Sequence, residues 1–238
     1  MELTIVASCS QGNSYVLTAT DGQQLCIEAG RPLKEVKKVG NLKTARCVGV
    51  LISHFHIDHC KYAKDFIKAG IDVYSCHSVA TSVLGVNPLE IGETYSIGSF
   101  RVTPFAVEHD CEDYGYVIFH PGYGSIFFST DCYNLKQAIR GCKTYMCECN
   151  YEDALLEKAT QEAKTPIAQA ERIRLSHMSL THAVAFMQEC EAEKTANQII
   201  LIHGSSRHLI PGVAVSKFQR VIGVPTYYAE PGLKLELL

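Results

Sequence analysis

Four side chains able to bind a metal stand within six residues in His54-Phe55-His56-Ile57-Asp58-His59. Three are imidazoles, which suit zinc and other first-row ions, and one is a carboxylate. The preceding run, Val48-Gly49-Val50-Leu51-Ile52, is apolar and rich in β-branched residues, so it reads as a buried strand. The ligands then occupy the loop at the strand's C-terminal end, where α/β folds commonly place their chemistry. In an extended segment His54, His56 and Asp58 share one face, because side chains alternate with period two. A turn at Asp58 would free Asp58 and His59 to serve a second ion. One histidine in such a loop reads as surface; four ligand-type residues behind a buried strand read as a metal centre.

These residues need strands to carry them and helices to space the strands. Residues 3–7, 14–19 and 24–28 read as short strands with a turn at Asp21-Gly22. Residues 32–39 open on a proline, a favourable helix start. After strand 47–52 and the ligand loop come a helix over 60–69 stopped by Gly70, strand 71–75 and a short helix near 78–84. Residues 93–97 and 100–107 form a hairpin pattern, as do 115–120 and 124–129, where aromatic and β-branched residues alternate. A helix near 134–140, strand 143–149, helices near 151–163 and 180–191, strand 198–203, helix 213–221 and strands near 226–237 complete the chain. The mirrored halves predict an α/β chain with two sheets packed inside flanking helices.

The 238 residues suffice for one large domain and are too few for two generous ones, and no linker-like stretch divides them. A single domain over 1–238 is therefore expected. A 47% hydrophobic content fits an ordered globular chain. The opening Met-Glu-Leu-Thr-Ile-Val lacks a basic and then apolar leader, and no run approaches the ~20 apolar residues of a membrane span. Eleven cysteines, an odd number scattered over such a chain, read as free thiols and small buried hydrophobes in a cytoplasmic protein. Cys147-Glu148-Cys149 is too tight for a structural zinc pair. Cys60 and Cys132 stand apart because each directly follows a candidate ligand. A net charge of −3 does not advertise nucleic acid, although metals and a local basic rim can serve a nuclease.

His54-x-His56-x-Asp58-His59 resembles the signature of the metallo-β-lactamase fold superfamily, and further segments continue that pattern in order. Ala7-Ser8-Cys9-Ser10-Gln11-Gly12-Asn13-Ser14-Tyr15 resembles the first turn of its small bacterial nuclease-like members. Leu25-Cys26-Ile27-Glu28-Ala29-Gly30 resembles their second strand, with Glu28 where Asp is usual, and Tyr62 stands where glycine is common. Val107-Glu108-His109-Asp110, Phe127-Phe128-Ser129-Thr130-Asp131 and Ile199-Ile200-Leu201-Ile202-His203 match the segments that deliver the remaining ligands. The resemblance implies a four-layer αβ/βα sandwich, two mixed sheets flanked by helices. It also implies that His54, His56 and His109 hold one divalent ion, that Asp58, His59 and His203 hold another, and that Asp131 bridges them. Zinc suits this set best, with manganese, iron or nickel as other occupants. Glu28 or Asp110 would fix the tautomers of ligand histidines. Alone, His109 reads as an ordinary loop histidine and Asp131 as a helix N-cap. His208 competes with His203 for the last position; His203 is preferred because it ends a strand, leaving His208 to a loop that faces substrate.

Glu148-Cys149-Asn150-Tyr151 followed by Ser176-His177-Met178-Ser179 resembles elements of family nucleases, among them tRNA 3′-processing endonucleases and 5′-to-3′ DNA exonucleases. His177 would protonate a leaving alkoxide, Ser179 would cap a helix whose amides receive phosphate, and Asp58 would join His177 in catalysis. The expected activity is hydrolysis of nucleic acid or a smaller phosphodiester by a hydroxide shared between two ions. A glyoxalase II-like thioester or lactone hydrolase and a non-catalytic metal-binding protein are the rival readings. A secreted β-lactamase fits less well, because Asp131 stands where those enzymes usually present cysteine.

Overall fold

The computed structural model describes residues 1–237. Its first half runs β1 (Glu2–Ala7), β2 (Ser14–Thr18), β3 (Gln24–Ile27), α1 (Leu33–Val39), β4 (Cys47–Leu51), α2 (Ile57–Cys60), α3 (Ala63–Lys68), β5 (Val73–Ser75), α4 (His77–Ser82) and β6 (Val86–Pro88). Strands β7 (Tyr95–Ile97), β8 (Phe100–Ala106), β9 (Tyr114–His120), β10 (Gly124–Ser129) and β11 (Thr144–Glu148) follow. The chain then builds α5 (Asp153–Gln161), α6 (Ile167–Ser176), α7 (Leu180–Glu189), α8 (Ala192–Thr195), β12 (Gln198–Ile202), α9 (Pro211–Ile222), β13 (Thr226–Tyr228) and β14 (Lys234–Glu236).

The strands form two seven-stranded mixed sheets, ordered β14-β1-β2-β3-β4-β5-β6 and β13-β12-β11-β10-β9-β8-β7. The first sheet is antiparallel up to β3 and parallel from β3 to β6. The second is antiparallel from β7 to β10 and parallel from β10 to β13. Period-two alternation explains how one strand serves two cores. Ile126, Phe128, Met146, Ile200 and Ile202 join the core shared with the first sheet, where Tyr15 meets Phe128 edge-on at 5.7 Å between ring centroids. Their neighbours Phe127, Tyr145, Cys147, Ile199 and Leu201 pack on the other face with Phe186, Met187 and Phe218 of α7 and α9. Burying a side chain such as Phe128 contributes about 1.5–3 kcal/mol. The resulting helix–sheet–sheet–helix arrangement is the four-layer α/β architecture expected from the sequence.

Local differences have physical causes. The helix expected near 134–140 is absent because that segment is tied to the loop after β8. Tyr133 N donates to Glu108 O, Glu108 N donates to Asn134 O, and Asn134 Nδ2 donates to the Glu108 carboxylate at 3.0 Å. Helix α6 escapes the sequence pattern because Ile167 and Leu175 point outward, which blurs its periodicity. The helix expected over 60–69 is interrupted at Tyr62, whose backbone N–H donates to Ala29 O at 2.9 Å. No disulfide links the cysteines among the described residues, and no helix there is long and apolar enough to cross a membrane.

Two loops, bonded to each other, brace the ligand turn. Asn13 N donates to Asp58 O at 2.8 Å, Ala29 N to His59 O at 2.7 Å, and Gly30 N to Asn13 O at 3.0 Å. The approach at Gly30 is so close that a Cβ there would overlap the Asp58 carbonyl and crowd Asn13 N, both backbone groups that cannot rotate away. Gly30→Ala is expected to lower stability by about 2–3 kcal/mol and to weaken divalent-cation binding by displacing Asp58 and His59. Denaturant titration together with metal analysis checks this; an unchanged midpoint would show that the loops separate freely.

Candidate metal centre

The candidate ligands leave the strand ends that face one another across the two sheets. His54 lies three residues beyond β4, His109 lies in the loop after β8, Asp131 follows β10, and His203 directly follows β12. Glu28 directly follows β3, and Glu148 ends β11. Glu28, Asp131 and His203 have φ of 66°, 31° and 53°. Left-handed backbone is uncommon for residues with a Cβ, and such conformations concentrate at functional sites. Here each one marks the point where a strand turns at the cavity.

The ligand turn is not extended. Ile57–Cys60 forms one helical turn with His56 as its N-cap. His54 and His56 therefore turn toward one cluster, while Asp58 and His59 turn toward another. In the first, ligand atoms of His54, His56, His109 and Cys111 lie within 4.8 Å of one another. In the second, those of Asp58, His59, Asp131 and His203 do the same. His56 Nδ1 and His109 Nε2 stand 3.2 Å apart, and the fully buried His54 Nε2 has no hydrogen-bond partner. Orphaned buried nitrogen among imidazoles is what a cation site requires.

Outer contacts fix the rings. His109 Nδ1 meets Ser176 O at 3.1 Å, and His54 Nδ1 meets Ser53 Oγ at 2.9 Å with Asp113 at 3.4 Å. His59 Nδ1 lies 3.4 Å from Glu28, whose longer side chain therefore still reaches the ring. His59 Nε2 faces Asp58 at 3.2 Å and Asp131 at 3.4 Å. Asp110 stands 3.4 Å from His56 Nε2 and 3.2 Å from His109 Nε2. The His203 backbone is held by Ser8 Oγ, which accepts from its N–H at 2.8 Å, and by Asn150 Nδ2, which donates to its carbonyl at 2.7 Å.

Glu148 has no exposed surface, yet its carboxylate faces four donors. Oε1 contacts His177 Nδ1 at 2.7 Å and His203 Nδ1 at 3.0 Å, and Oε2 accepts from the backbone N–H groups of Cys132 and Met178. One carboxylate thus sets both rings, committing each Nδ1 and leaving each Nε2 free of that bond. Ser179 does cap α7, accepting from His182 N at 3.2 Å. Leu180 N donates to Tyr151 O, so with His182 N two amides of the first turn of α7 are already engaged.

A sequence model described as the beta-lactamase superfamily domain matches residues 29–203. The chain belongs to this superfamily. Exodeoxyribonuclease YycJ of Bacillus anthracis is 24% identical over 173 residues, covering 66% of this chain and 65% of that protein. The chain therefore spans slightly less than two thirds of that relative's length. The metallo-beta-lactamase fold protein YhfI of Bacillus subtilis matches with a TM-score of 0.78 at 14% identity, over 99% of both chains. The short form of human tRNase Z matches with a TM-score of 0.71 at 15% identity, over 100% of both.

Within this superfamily chain, the structure gathers His54, His56 and His109 in one cluster and Asp58, His59, Asp131 and His203 in a second, with His177 in a third that shares Asp131 and His203 and adds Glu148. It separates His208, whose ring nitrogens contact Thr165 Oγ1 and Ser205 Oγ and which joins none of these clusters. Cys60 donates its thiol to Phe55 O and Cys132 contacts Ser129 Oγ; neither joins a ligand cluster. Sequence reasoning missed Asn13, Asp113 and Cys111. Position in an ordered motif was the signal for the histidines, and only proximity to His109 pointed to Cys111 and Asp113.

The two clusters differ in charge. Burial, reinforced by His59, pushes the His54 imidazolium down to about 3, and burial also lowers His109, so both rings offer lone pairs. In the second cluster burial opposes every charge, but paired partners win. His203 and His59 hold the Asp131 carboxyl well below the usual range, and hydrogen bonds from the same rings do so for Asp58. Asp131 and Glu28 raise His59, while Asp131, Asp58 and Glu148 push His203 up to about 10. Protons on these rings occupy a field that suits divalent cations.

A pH dependence follows for protein treated with chelator. His203 binds its proton more tightly folded than unfolded, so its contribution is complete below 6.5 and is lost as pH rises through about 10. The stability difference between wild type and His203→Gln should therefore shrink over that window, as read by denaturant midpoints. Because cations must displace these protons, affinity at the second cluster should rise with pH over the same range. A constant stability difference would remove His203 as the source.

Proposed function

We propose that this chain is a metal-dependent phosphodiesterase, acting on nucleic acid or a smaller phosphodiester. His54, His56 and His109 would hold one divalent ion, and Asp58, His59 and His203 would hold a second, with Asp131 as a ligand that both would use. Zinc is the best-suited occupant, with manganese, iron or nickel possible alternatives in other metal supplies. Bound together, such ions supply Lewis acidity and water of lowered pKa. The protein residues orient, hold charge and move protons around that chemistry. Asp58, partly exposed and kept anionic by His203 and His59, would orient the water such ions supply by accepting a hydrogen bond from it.

The observation that carries the substrate class is the Glu148–His177 pair. His177 Nδ1 is bound to a buried carboxylate, so Nε2 is the atom able to give a proton. Burial works against the charged ring, but Glu148 and Asp131 outweigh it and raise its pKa, which favours the protonated form that a general acid needs. Phosphodiester cleavage expels an alkoxide that needs such a proton, whereas a thioester expels a thiolate that does not. The likeness to an exodeoxyribonuclease and to a tRNase Z supports the same class.

His177→Ala should retain the bound metals yet slow hydrolysis of poor-leaving-group phosphodiesters by ~10²–10⁴-fold. The loss should be much smaller with p-nitrophenyl esters. Asp131→Ala should weaken cation binding at both clusters, because one carboxylate serves both. A panel of single- and double-stranded DNA, pre-tRNA, cyclic dinucleotides and S-lactoylglutathione, assayed with defined metals, decides the class. Fast thioester turnover that ignores His177 would replace this reading with a glyoxalase II-like one, and inertness toward every substrate would favour a binding protein.

A further inference from the structure

Cys111 lies where the proposed ligand set has no use for it. Its sulfur falls within 4.8 Å of ligand nitrogens of His54, His56 and His109. The loop that carries it is fixed at several points. Val107 N donates to Asp113 O, Ser78 N donates to Glu112 Oε2 at 2.7 Å, and Tyr114 N donates to Ser53 O. The thiol is thus presented to the histidines by an anchored turn.

A second observation at the same place points to a cation. Asp113 is buried, neither carboxylate oxygen has a hydrogen-bond partner, and Oδ2 stands 3.4 Å from His54 Nδ1. A buried unpaired carboxylate is costly unless positive charge lies nearby. His54 connects the two features: one ring nitrogen approaches Asp113, and the other is the orphaned atom of the cluster.

We propose that Cys111 Sγ is a fourth protein donor to the cation held by His54, His56 and His109. Coordination replaces the S–H bond by a sulfur–metal bond, and the proton passes to solvent. Three imidazoles and a thiolate form a softer set than imidazoles and carboxylates alone. The first cluster then selects zinc against manganese, while the oxygen-rich second cluster remains permissive. Asp113 supports the arrangement as a positioning residue behind His54. This inference rests on the reading of the cavity as a metal centre.

Cobalt(II) is the probe, because thiolate ligation gives a near-ultraviolet charge-transfer band that imidazole and carboxylate ligation do not. Cobalt-loaded wild type should show the band, and Cys111→Ser should lose it while retaining bound cobalt and its visible ligand-field bands. Cys60→Ser should keep it. Zinc affinity of the first cluster should fall by at least about tenfold in Cys111→Ser, comparable to losses caused by outer-sphere changes, with manganese affinity unchanged. In wild type, zinc should protect Cys111 from alkylation, as mapped by mass spectrometry against chelated protein; this measurement needs no variant to fold. Cobalt bound without the band, a band that survives Cys111→Ser, or equal alkylation with and without zinc would overturn the role of Cys111 alone. Failure to bind cobalt or zinc at all would overturn the metal-centre reading with it.

Discussion

The constraint on which the site depends is the burial of Glu148. A carboxylate with no exposed surface is costly unless its lone pairs are filled, and here two backbone amides and two imidazoles fill them. Those four donors come from the loop after β10, the segment between α6 and α7, and the end of β12. Their convergence locks Asp131's loop, His177 and His203 into one arrangement around the end of β11. Removing the charge would leave two imidazoles without orientation as well as two backbone amides unpaired. Glu148 therefore couples the stability of this corner to the geometry of its candidate ligands.

The first sheet meets the same problem with different parts. Glu28 closes β3 much as Glu148 closes β11, and it lies beside His59 and the Ser53 backbone N–H. Around it, Asn13 and Ala29 grip the backbone of the Asp58-His59 turn, so that turn cannot drift although Ile57 beside it is 71% exposed. Each half of the fold thus supplies a parallel-strand end, a buried acid and a braced loop. Neither half alone completes the second cluster, which draws Asp58 and His59 from one sheet and Asp131 and His203 from the other. Packing of the sheets, through contacts such as Tyr15 against Phe128, is what brings those charges together.

The strongly periodic elements were readable from sequence because each carries its own signal. Phe127 and Phe128, or Ile199 to Ile202, alternate between two apolar faces and end at a polar residue, so strand and ligand appear in one stretch. What escaped detection depends on distant partners. Residues 134–140 have a helical composition, but Glu108 claims Tyr133 and Asn134 from the other side of two hairpin strands. The Ser8 hydroxyl that holds His203 lies 195 residues away in the chain. Asp113 looks like one more acid in Asp110-Cys111-Glu112-Asp113; its burial beside His54 is a product of the fold. Likewise, His203 and His208 differ little on paper, and only packing against Thr165 removes His208 from the cavity.

Chemistry follows from the fold less directly than position does. The superfamily scaffold explains why ligand-bearing ends of two sheets face one cavity, but a shared scaffold hosts several reactions. The group on which the proposed phosphodiester reading turns lies outside the histidine-rich motif, at a junction between helices. His177 is the C-cap of α6, its Nδ1 is taken by Glu148, and its ring stacks at 5.4 Å on His203. That placement puts the ring beside the candidate ligands, in a third group with Asp131, Glu148 and His203 that overlaps the second cluster. A ring fixed by a buried acid has its tautomer and its direction set together, and the proposed reaction would draw on both in a proton donor to the leaving group.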